Sequence, residues 1–341
     1  WDAAIAASTS TRATIIANAP TASRHVLVST PDRHLVFFGT ETKIGDPSTQ
    51  DDMFIRFSNQ EEITGTDAYT VTATNTAGTQ RLAAGSVIMG AKRGRDAIYV
   101  WTDTSLFLMT FVGQPFTFSF AQVGTNCGLL GKNAGVEVDG TSYWMSENGF
   151  FMYDGQLRSM PCLVEDFVYD GLNSTPKDLV NCGLNNLFGE IQWFYCSTGS
   201  DVIDRVVTYN HLDKVWSVGT MARTTWTDKG VFAKPYATDY SATSTATATP
   251  TVQGVTSGRG NLYAQETGNN ANGAALPANI TSGDFYLDAG EDLMSISRFI
   301  PDFKNLAGTV NVTLKFRDYP ASTQRTNGPF AVTTSTTKID T

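Results

Sequence analysis

Few side chains in this sequence can hold a metal or move a proton, and their spacing decides what they can do. The histidines are His25, His34 and His211. His25 and His34 flank a run that predicts a hairpin, so they can approach one another with Asp32 nearby. A zinc site needs three or four such ligands. The expected reading is therefore surface or edge-strand histidine. Cys127, Cys162, Cys182 and Cys196 form no CxxC pair and match no common zinc spacing. They read as free, mostly buried thiols, too few for a disulfide framework in a chain this long. The acid pairs Asp51-Asp52, Glu61-Glu62 and Glu291-Asp292 offer oxygen ligands of the kind calcium takes in loops. None has the regular spacing of a calcium-binding loop, so solvated turn carboxylates are expected. Gly94, Gly128 and Gly131 build no GxGxxG, and neither a phosphate loop nor a GxSxG elbow is present. No catalytic, cofactor-binding or metal-ligating residue is predicted, and an enzyme is not expected.

Two further sets have a functional reading beside a plainer one. Lys92-Arg93-Gly94-Arg95 is the dense basic cluster, predicted in a turn after Val87–Ala91. It reads as an exposed polar turn, or as a contact to DNA or to an acidic neighbouring subunit. Ser146-Glu-Asn-Gly-Phe-Phe151 resembles a degenerate Asp-box turn of sialidase-like propellers, a structural motif even in enzymes. A sialidase would also need an arginine cluster, for which Arg205, Arg223 and Arg298 are the paper candidates.

The elements that must carry these residues are strands. The chain has 341 residues, 41% hydrophobic and 17% charged, enough to bury a sizeable core. Thr, Gly, Phe and Tyr are abundant, which favours strands and tight turns. The net charge of −9 argues against tight DNA binding, because affinity for duplex DNA comes from neutralising phosphates. No window approaches the ~20 apolar residues of a membrane-spanning helix.

One grammar recurs: a short apolar strand, a Gly, Asn or Asp turn, then another strand. Arg24–Gly39 predicts a hairpin about Ser29–Arg33, with Pro31-Asp32 at its tip, followed by a strand at Met53–Phe57 and a polar stretch through Thr79. A second unit has strands at Gly85–Gly90, Ala97–Trp101, Ser105–Val112 and Phe116–Phe120. A third runs from Ala134 to Met160, with Asp139-Gly140, Glu147-Asn148-Gly149 and Asp154-Gly155 as turns, Asn-Gly and Asp-Gly being pairs that favour positive φ. A fourth uses Gly189–Tyr195, Arg205–Tyr209 and Val215–Gly219, and a fifth is suggested at Val255–Glu266. Pro161–Asn173 predicts a short helical or irregular crossing, Ser241–Thr251 an exposed loop, and Val310–Phe316 a half-exposed strand. This predicts an all-β, β-propeller-like fold of about five to six four-stranded antiparallel blades with few helices. A β-sandwich is the alternative. The expected division is a segment 1–22, a propeller-like domain 23–319 and a C-terminal segment 320–341.

Several stretches resemble the tubular tail, nozzle and packaged-DNA stabilisation proteins of podoviruses. They are Phe54-Ile-Arg-Phe-Ser-Asn-Gln-Glu61, Thr74-Asn-Thr-Ala-Gly78, Val100-Trp-Thr-Asp-Thr-Ser-Leu106, Phe111-Val-Gly-Gln-Pro-Phe116 and Asn126-Cys-Gly-Leu-Leu-Gly131. Gly140–Gly155, Gly189-Glu-Ile-Gln-Trp-Phe-Tyr195, Trp216-Ser-Val-Gly219 and Ala222-Arg-Thr-Thr-Trp226 continue the likeness. Those proteins are usually longer, so both ends are expected to continue. The chain opens at Trp1, and Ala3–Ala7 reads as part of a folded element. The resemblance implies a non-enzymatic ring, expected to be a hexamer, in the virion tail and assembled in the host cytoplasm. Its implied partners are portal and adaptor proteins, tail fibres or a needle, and genomic DNA that passes without sequence-specific binding. It implies no cofactor and no catalytic residue. A receptor- or glycan-binding propeller is the second reading, and a glycosidase-like propeller the third.

Overall fold

The structure, a computed structural model, describes residues 16, 18–30, 32–240, 260–268, 270–271, 274–275, 279–285, 293–319 and 321–341. The expectations for Trp1, Ala3–Ala7, Pro31, Ser241–Thr251, the 255–259 part of the fifth unit and Glu291-Asp292 lie outside the described residues. Two compact units are present, Trp1–Gly268 and Asn269–Thr341. Their boundary falls inside the 23–319 span expected for one domain.

The first unit is a succession of antiparallel meanders, each strand paired with the next in sequence. Blade 1 is β1 (Ser23–Ser29), β2 (His34–Thr40), β3 (Phe54–Phe57) and β4 (Gly78–Arg81). Blade 2 is β5 (Ile88–Arg93), β6 (Ile98–Thr102), β7 (Ser105–Gly113) and β8 (Thr117–Thr125). Blade 3 is β9 (Gly135–Val138), β10 (Thr141–Ser146), β11 (Gly149–Tyr153) and β12 (Leu157–Met160). A short helix α1 (Glu165–Asp170) fills the predicted crossing before blade 4, which is β13 (Asn181–Asn185), β14 (Glu190–Tyr195), β15 (Arg205–Asn210) and β16 (Val215–Thr220). Blade 5 has three described strands, β17 (Thr225–Thr227), β18 (Tyr236–Thr238) and β19 (Leu262–Ala264). The fold is all-β and propeller-like. A two-sheet sandwich does not describe it, because each sheet is its own meander packed against the next.

The blades hold together through shared apolar clusters. Val36, Phe38, Ile55 and Phe57 of blade 1 meet Ile98, Val100, Phe107 and Met109 of blade 2. Trp101 and Leu106 of blade 2 join Trp144 and Phe150 of blade 3 and Trp193 and Val207 of blade 4. Phe194 and Val206 of blade 4 pack on Trp226 of blade 5. First strands also abut, β1 on β5, β9 on β13 and β13 on β17.

A recurring device fixes the spacing between blades. Blades 2, 3 and 4 each bury a tryptophan on their second strand: Trp101, Trp144 and Trp193. The Trp144 indole N–H donates to the Cys127 carbonyl at 2.8 Å, and that of Trp193 to the Ala134 carbonyl at 2.9 Å. Trp226 does the same to Leu184 at 2.8 Å. Each ring supplies buried area, and the N–H of Trp144, Trp193 and Trp226 satisfies a carbonyl in the chain that precedes its own blade, whereas the Trp101 N–H has no partner among the described residues.

Turn chemistry explains the hairpins in detail. Asp139 and Gly140 both have positive φ, 50° and 84°, as a two-residue type I′ turn requires. The loop of the next hairpin falls within the expected turn Glu147–Gly149. Ser146 pairs with Gly149, so Glu147 and Asn148 form the loop, and Gly149 at φ 117° opens β11. Blade 1 also carries an insertion between β3 and β4. It folds back over the sheet, where Ala68 and Tyr69 cover Phe37. Arg56, 5% exposed, holds it by donating to the Tyr69 carbonyl at 3.0 Å and the Thr42 carbonyl at 2.8 Å.

Among the described residues the second unit has four short strands, β20 (Asn270–Ala271), β21 (Ala274–Ala275), β22 (Arg298–Phe299) and β25 (Ile339–Asp340), and two longer ones, β23 (Val310–Phe316) and β24 (Arg325–Val332). Strand β23 pairs with β24, β22 with β25, and β20 with β21. The exposure of β23 alternates along its first five residues, as its sequence implied. Among the described residues no helix is long and apolar enough to cross a membrane.

Candidate functional site

The basic cluster splits once the strands form. Lys92 and Arg93 lie in β5 rather than in a turn, and the turn itself is 94–97. This corrects the expectation of one exposed basic turn. Alternation along the strand sends Lys92 inward, where its Nζ donates to the Gly135 carbonyl of β9. Burial pushes the Lys92 ammonium pKa down, while the Cys182 thiol nearby works the other way. Arg93 and Arg95 are exposed. Arg93 reaches the Thr30 hydroxyl of the β1–β2 turn.

Two crevices flank this turn. One, of about 330 Å3, lies between blades 1 and 2 and is lined by Asp32, Arg93, Arg95, Asp96, Phe111 and Phe118, among others. The other, of about 300 Å3, lies between blades 2 and 3, where Arg95 and Asp96 face Tyr99, Tyr153 and Asp154. Both sit at the end of the blades where the first and third hairpin turns gather. Two guanidinium groups among three carboxylates leave no excess of positive charge there, so the cluster is not a phosphate-binding patch in the usual sense.

The other sequence candidates occupy structural positions. His25 lies opposite Phe38 and His34 opposite Ser29, so the two are four residues apart along the hairpin, about 13 Å at strand rise. They do not form a metal pair. His34 is 1% exposed, which corrects the edge-strand expectation. Its Nδ1 lies 2.8 Å from the Ser58 carbonyl, and its ring contacts Phe57, Phe111 and Phe118. His25 is half-buried, and burial is the main reason its pKa is lowered. His211 packs near Tyr143 at 6.5 Å.

The acid pairs are committed to neighbours. Asp52 receives a two-pronged bond from Arg24, both distances 2.7 Å. Asp51 takes Arg81 at 2.6 Å and the Met53 amide at 2.9 Å. Glu61 pairs with Arg33, and Glu62 accepts from Asn59 at 2.7 Å. The three arginines of the sialidase reading each have a local role. Arg205 lies beside Asp204 at 3.9 Å, Arg223 stacks 4.4 Å over the Tyr263 ring, and Arg298 belongs to the second unit, paired with Asp340. All four cysteines are free. Burial raises the thiol pKa to about 11 at Cys162, about 12 at Cys182 and about 11 at Cys196.

One polar constellation has no counterpart among the sequence candidates. Asn185 ends β13 directly opposite Glu190 at the start of β14, and Gln192 lies two residues further on the same face. The next blade approaches this face, since the Trp226 ring lies against Gly183, the partner of Gln192. Glu266, just past β19, reaches across from blade 5. The Asn185 side-chain nitrogen donates to Glu266 Oε1 at 3.0 Å and to Glu190 Oε2 at 3.4 Å. Gln192 Nε2 donates to Glu190 Oε2 at 3.3 Å. Burial, then the charge of Glu266, raises the Glu190 carboxyl pKa against the pull of the two amides. No motif marks this cluster, because its two carboxylates come from different blades and are far apart in sequence.

No protein-family model matches the chain, and no curated protein matches it.

Proposed function

We propose that this chain is a structural subunit of a tailed-bacteriophage tail, forming a nozzle or tube ring that extends the portal channel. The ring retains the packaged genome and conducts DNA during ejection. A hexamer is the assembly this reading favours, with portal or adaptor proteins above it and fibres or a needle docked to it. The observation that carries the proposal is the succession of apolar clusters that join each blade to the next, through Phe38 and Val100, then Trp144 and Trp193, then Phe194. A stack of meanders sharing apolar clusters resists bending, which is what a pressurised conduit needs. The stretches of podovirus likeness map onto this frame. Phe54–Phe57 is β3, Tyr143–Ser146 lies in β10, and Glu190–Tyr195 is β14. A net charge of −9 suits a wall past which phosphate must slide.

Electron cryomicroscopy of the assembled protein tests this. The expected image is a closed ring around a channel whose lining is net acidic or neutral. A species that remains monomeric at all concentrations, or a strongly basic lumen, would sink the proposal.

A further inference from the structure

The geometry points to a binding site for a hard divalent cation of the size and oxygen preference of Ca2+. It lies between Glu190 of blade 4 and Glu266 of blade 5 and is completed by the amide oxygens of Asn185 and Gln192. This site does not depend on the tail assignment.

Two observations converge on it. The first is the placement of charge. One nitrogen, Nδ2 of Asn185, stands within 3.4 Å of oxygens from both carboxylates. It stands between two anions and offers them only a neutral N–H, so the pair keeps its mutual repulsion. Among the described residues neither Glu190 nor Glu266 has an ion pair through its carboxylate. Lys234, the nearby cation, donates to the main-chain carbonyl of Glu266 instead.

The second observation concerns the amides themselves. Asn185 is 0% exposed and Gln192 6% exposed, yet Oδ1 of the one and Oε1 of the other have no hydrogen-bond partner among the described residues. Buried amide oxygens are normally satisfied. Each of these belongs to an amide whose nitrogen already faces the carboxylates. The two ends of an amide are interchangeable by rotation about the last side-chain bond. Turning both amides over presents two carbonyl oxygens to the point between Glu190 and Glu266. The orphaned acceptors then gain the ion as a partner and the carboxylates lose their mutual repulsion, in exchange for the three amide N–H bonds to Glu190 and Glu266.

The donor set matches the ion. Two carboxylates neutralise a divalent charge, and four side-chain oxygens leave room for the waters that complete six to eight ligands around Ca2+. Mg2+ fits less well, since it demands near-octahedral geometry at shorter distance. Nitrogen and sulfur ligands are absent from the set, which disfavours Zn2+. Glu266 is exposed, so the ion has a path from solvent. Once bound, it ties the end of β19 to the first hairpin of blade 4.

The test uses the whole chain freed of metal by a chelator. Ca2+ is titrated by calorimetry and by thermal melting, and Tb3+ by luminescence sensitised through Trp226. One ion is expected to bind, with a dissociation constant on the order of 10⁻⁴ M, and to raise the melting temperature. E190Q and E266Q should each weaken binding by about tenfold or more, as loss of one charged ligand implies. Without metal, E190Q should melt no lower than the parent, because it removes a repelled charge. That control separates loss of the site from loss of the fold. The proposal is overturned if neither ion binds, if both variants bind as the parent does, or if Mg2+ gives the same response as Ca2+.

Discussion

Glu41 is fully buried, the Arg56 guanidinium reaches its main-chain carbonyl at 3.5 Å, and the donors to its carboxylate explain how it stays ionised. The Thr21 amide donates to it at 3.1 Å and the Thr21 hydroxyl at 2.8 Å, and the Gly45 and Ala22 amides add further bonds. Burial alone would raise its pKa. These donors outweigh burial and hold it below the usual glutamate value. A depressed carboxyl contributes stability above its unfolded pKa, and that contribution disappears as pH falls through the folded value. E41Q keeps the shape but replaces one acceptor oxygen with a donor. It should cost about 1–3 kcal/mol at pH 7 by urea denaturation, and the gap to the parent should narrow on acidification. A gap independent of pH would refute the role of the charge. The thiols follow the same logic with opposite sign. Burial keeps Cys162, Cys182 and Cys196 protonated well above neutral pH. Thiolate is the reactive form, so Ellman's reagent at pH 8 should label the native chain only as fast as it unfolds. A rapid native burst would contradict this. At this scale the cysteines were legible in sequence, because buried thiols with no paired spacing have few other roles. His34 was not, because its burial depends on Phe111 and Phe118 of the neighbouring blade.

Trp193 shows how one residue becomes a property of an element. Its ring is 0% exposed among Phe150 and Trp216, and its N–H spans blades 3 and 4 to the Ala134 carbonyl. W193F retains most of the aromatic area but removes one of the two donors to that carbonyl, the other being the Met145 amide at 3.0 Å. It should destabilise the first unit by about 0.5–1.5 kcal/mol in a denaturant titration, the net worth of one hydrogen bond. A neutral result would show that the Met145 amide suffices for the carbonyl and that the indole bond does not fix blade spacing. Strands of this buried kind were readable from sequence. Runs such as Ile98–Thr102 and Thr141–Ser146 combine aromatic and β-branched residues with turns at Asp139-Gly140 and Gly149. Strands β4, β13, β17 and β18 were not read. Gly78-Thr-Gln-Arg81 has no apolar alternation and is a strand because it pairs with β3, with Gly78 flat against the Phe57 ring. Asn181–Asn185 hides behind its asparagines and is defined by β14. In β5 the expected strand ran three residues early. Gly85 sits at φ 111° outside the ladder, and that shift carried Lys92 from turn to interior.

At the scale of the whole chain, the repeat grammar told more than any single residue. It gave blades, because a four-stranded meander buries its faces only against another, and successive hairpins of similar length supply the neighbours. It did not give the Glu190–Glu266 cluster, since pairing across blades depends on how sheets stack rather than on spacing within one. Nor did it place the division after Gly268, because β23 and β24 obey the same alternation as blade strands while pairing with each other. The core arithmetic on the two sides of that division makes a concrete test. Among the described residues all four apolar clusters are built from the first unit, the last of their members being Trp226. A unit whose core is internally complete should fold alone. A fragment ending at Gly268 is therefore expected to keep the near-ultraviolet circular dichroism of the stacked Trp193–Trp216 pair, whose rings lie 5.9 Å apart. It should melt within about 4 °C of the full chain, the shift that roughly 1 kcal/mol produces in a domain of this size. Loss of the aromatic signal, or a melt lowered well beyond that, would mean that the blades need residues 269–341 to stand.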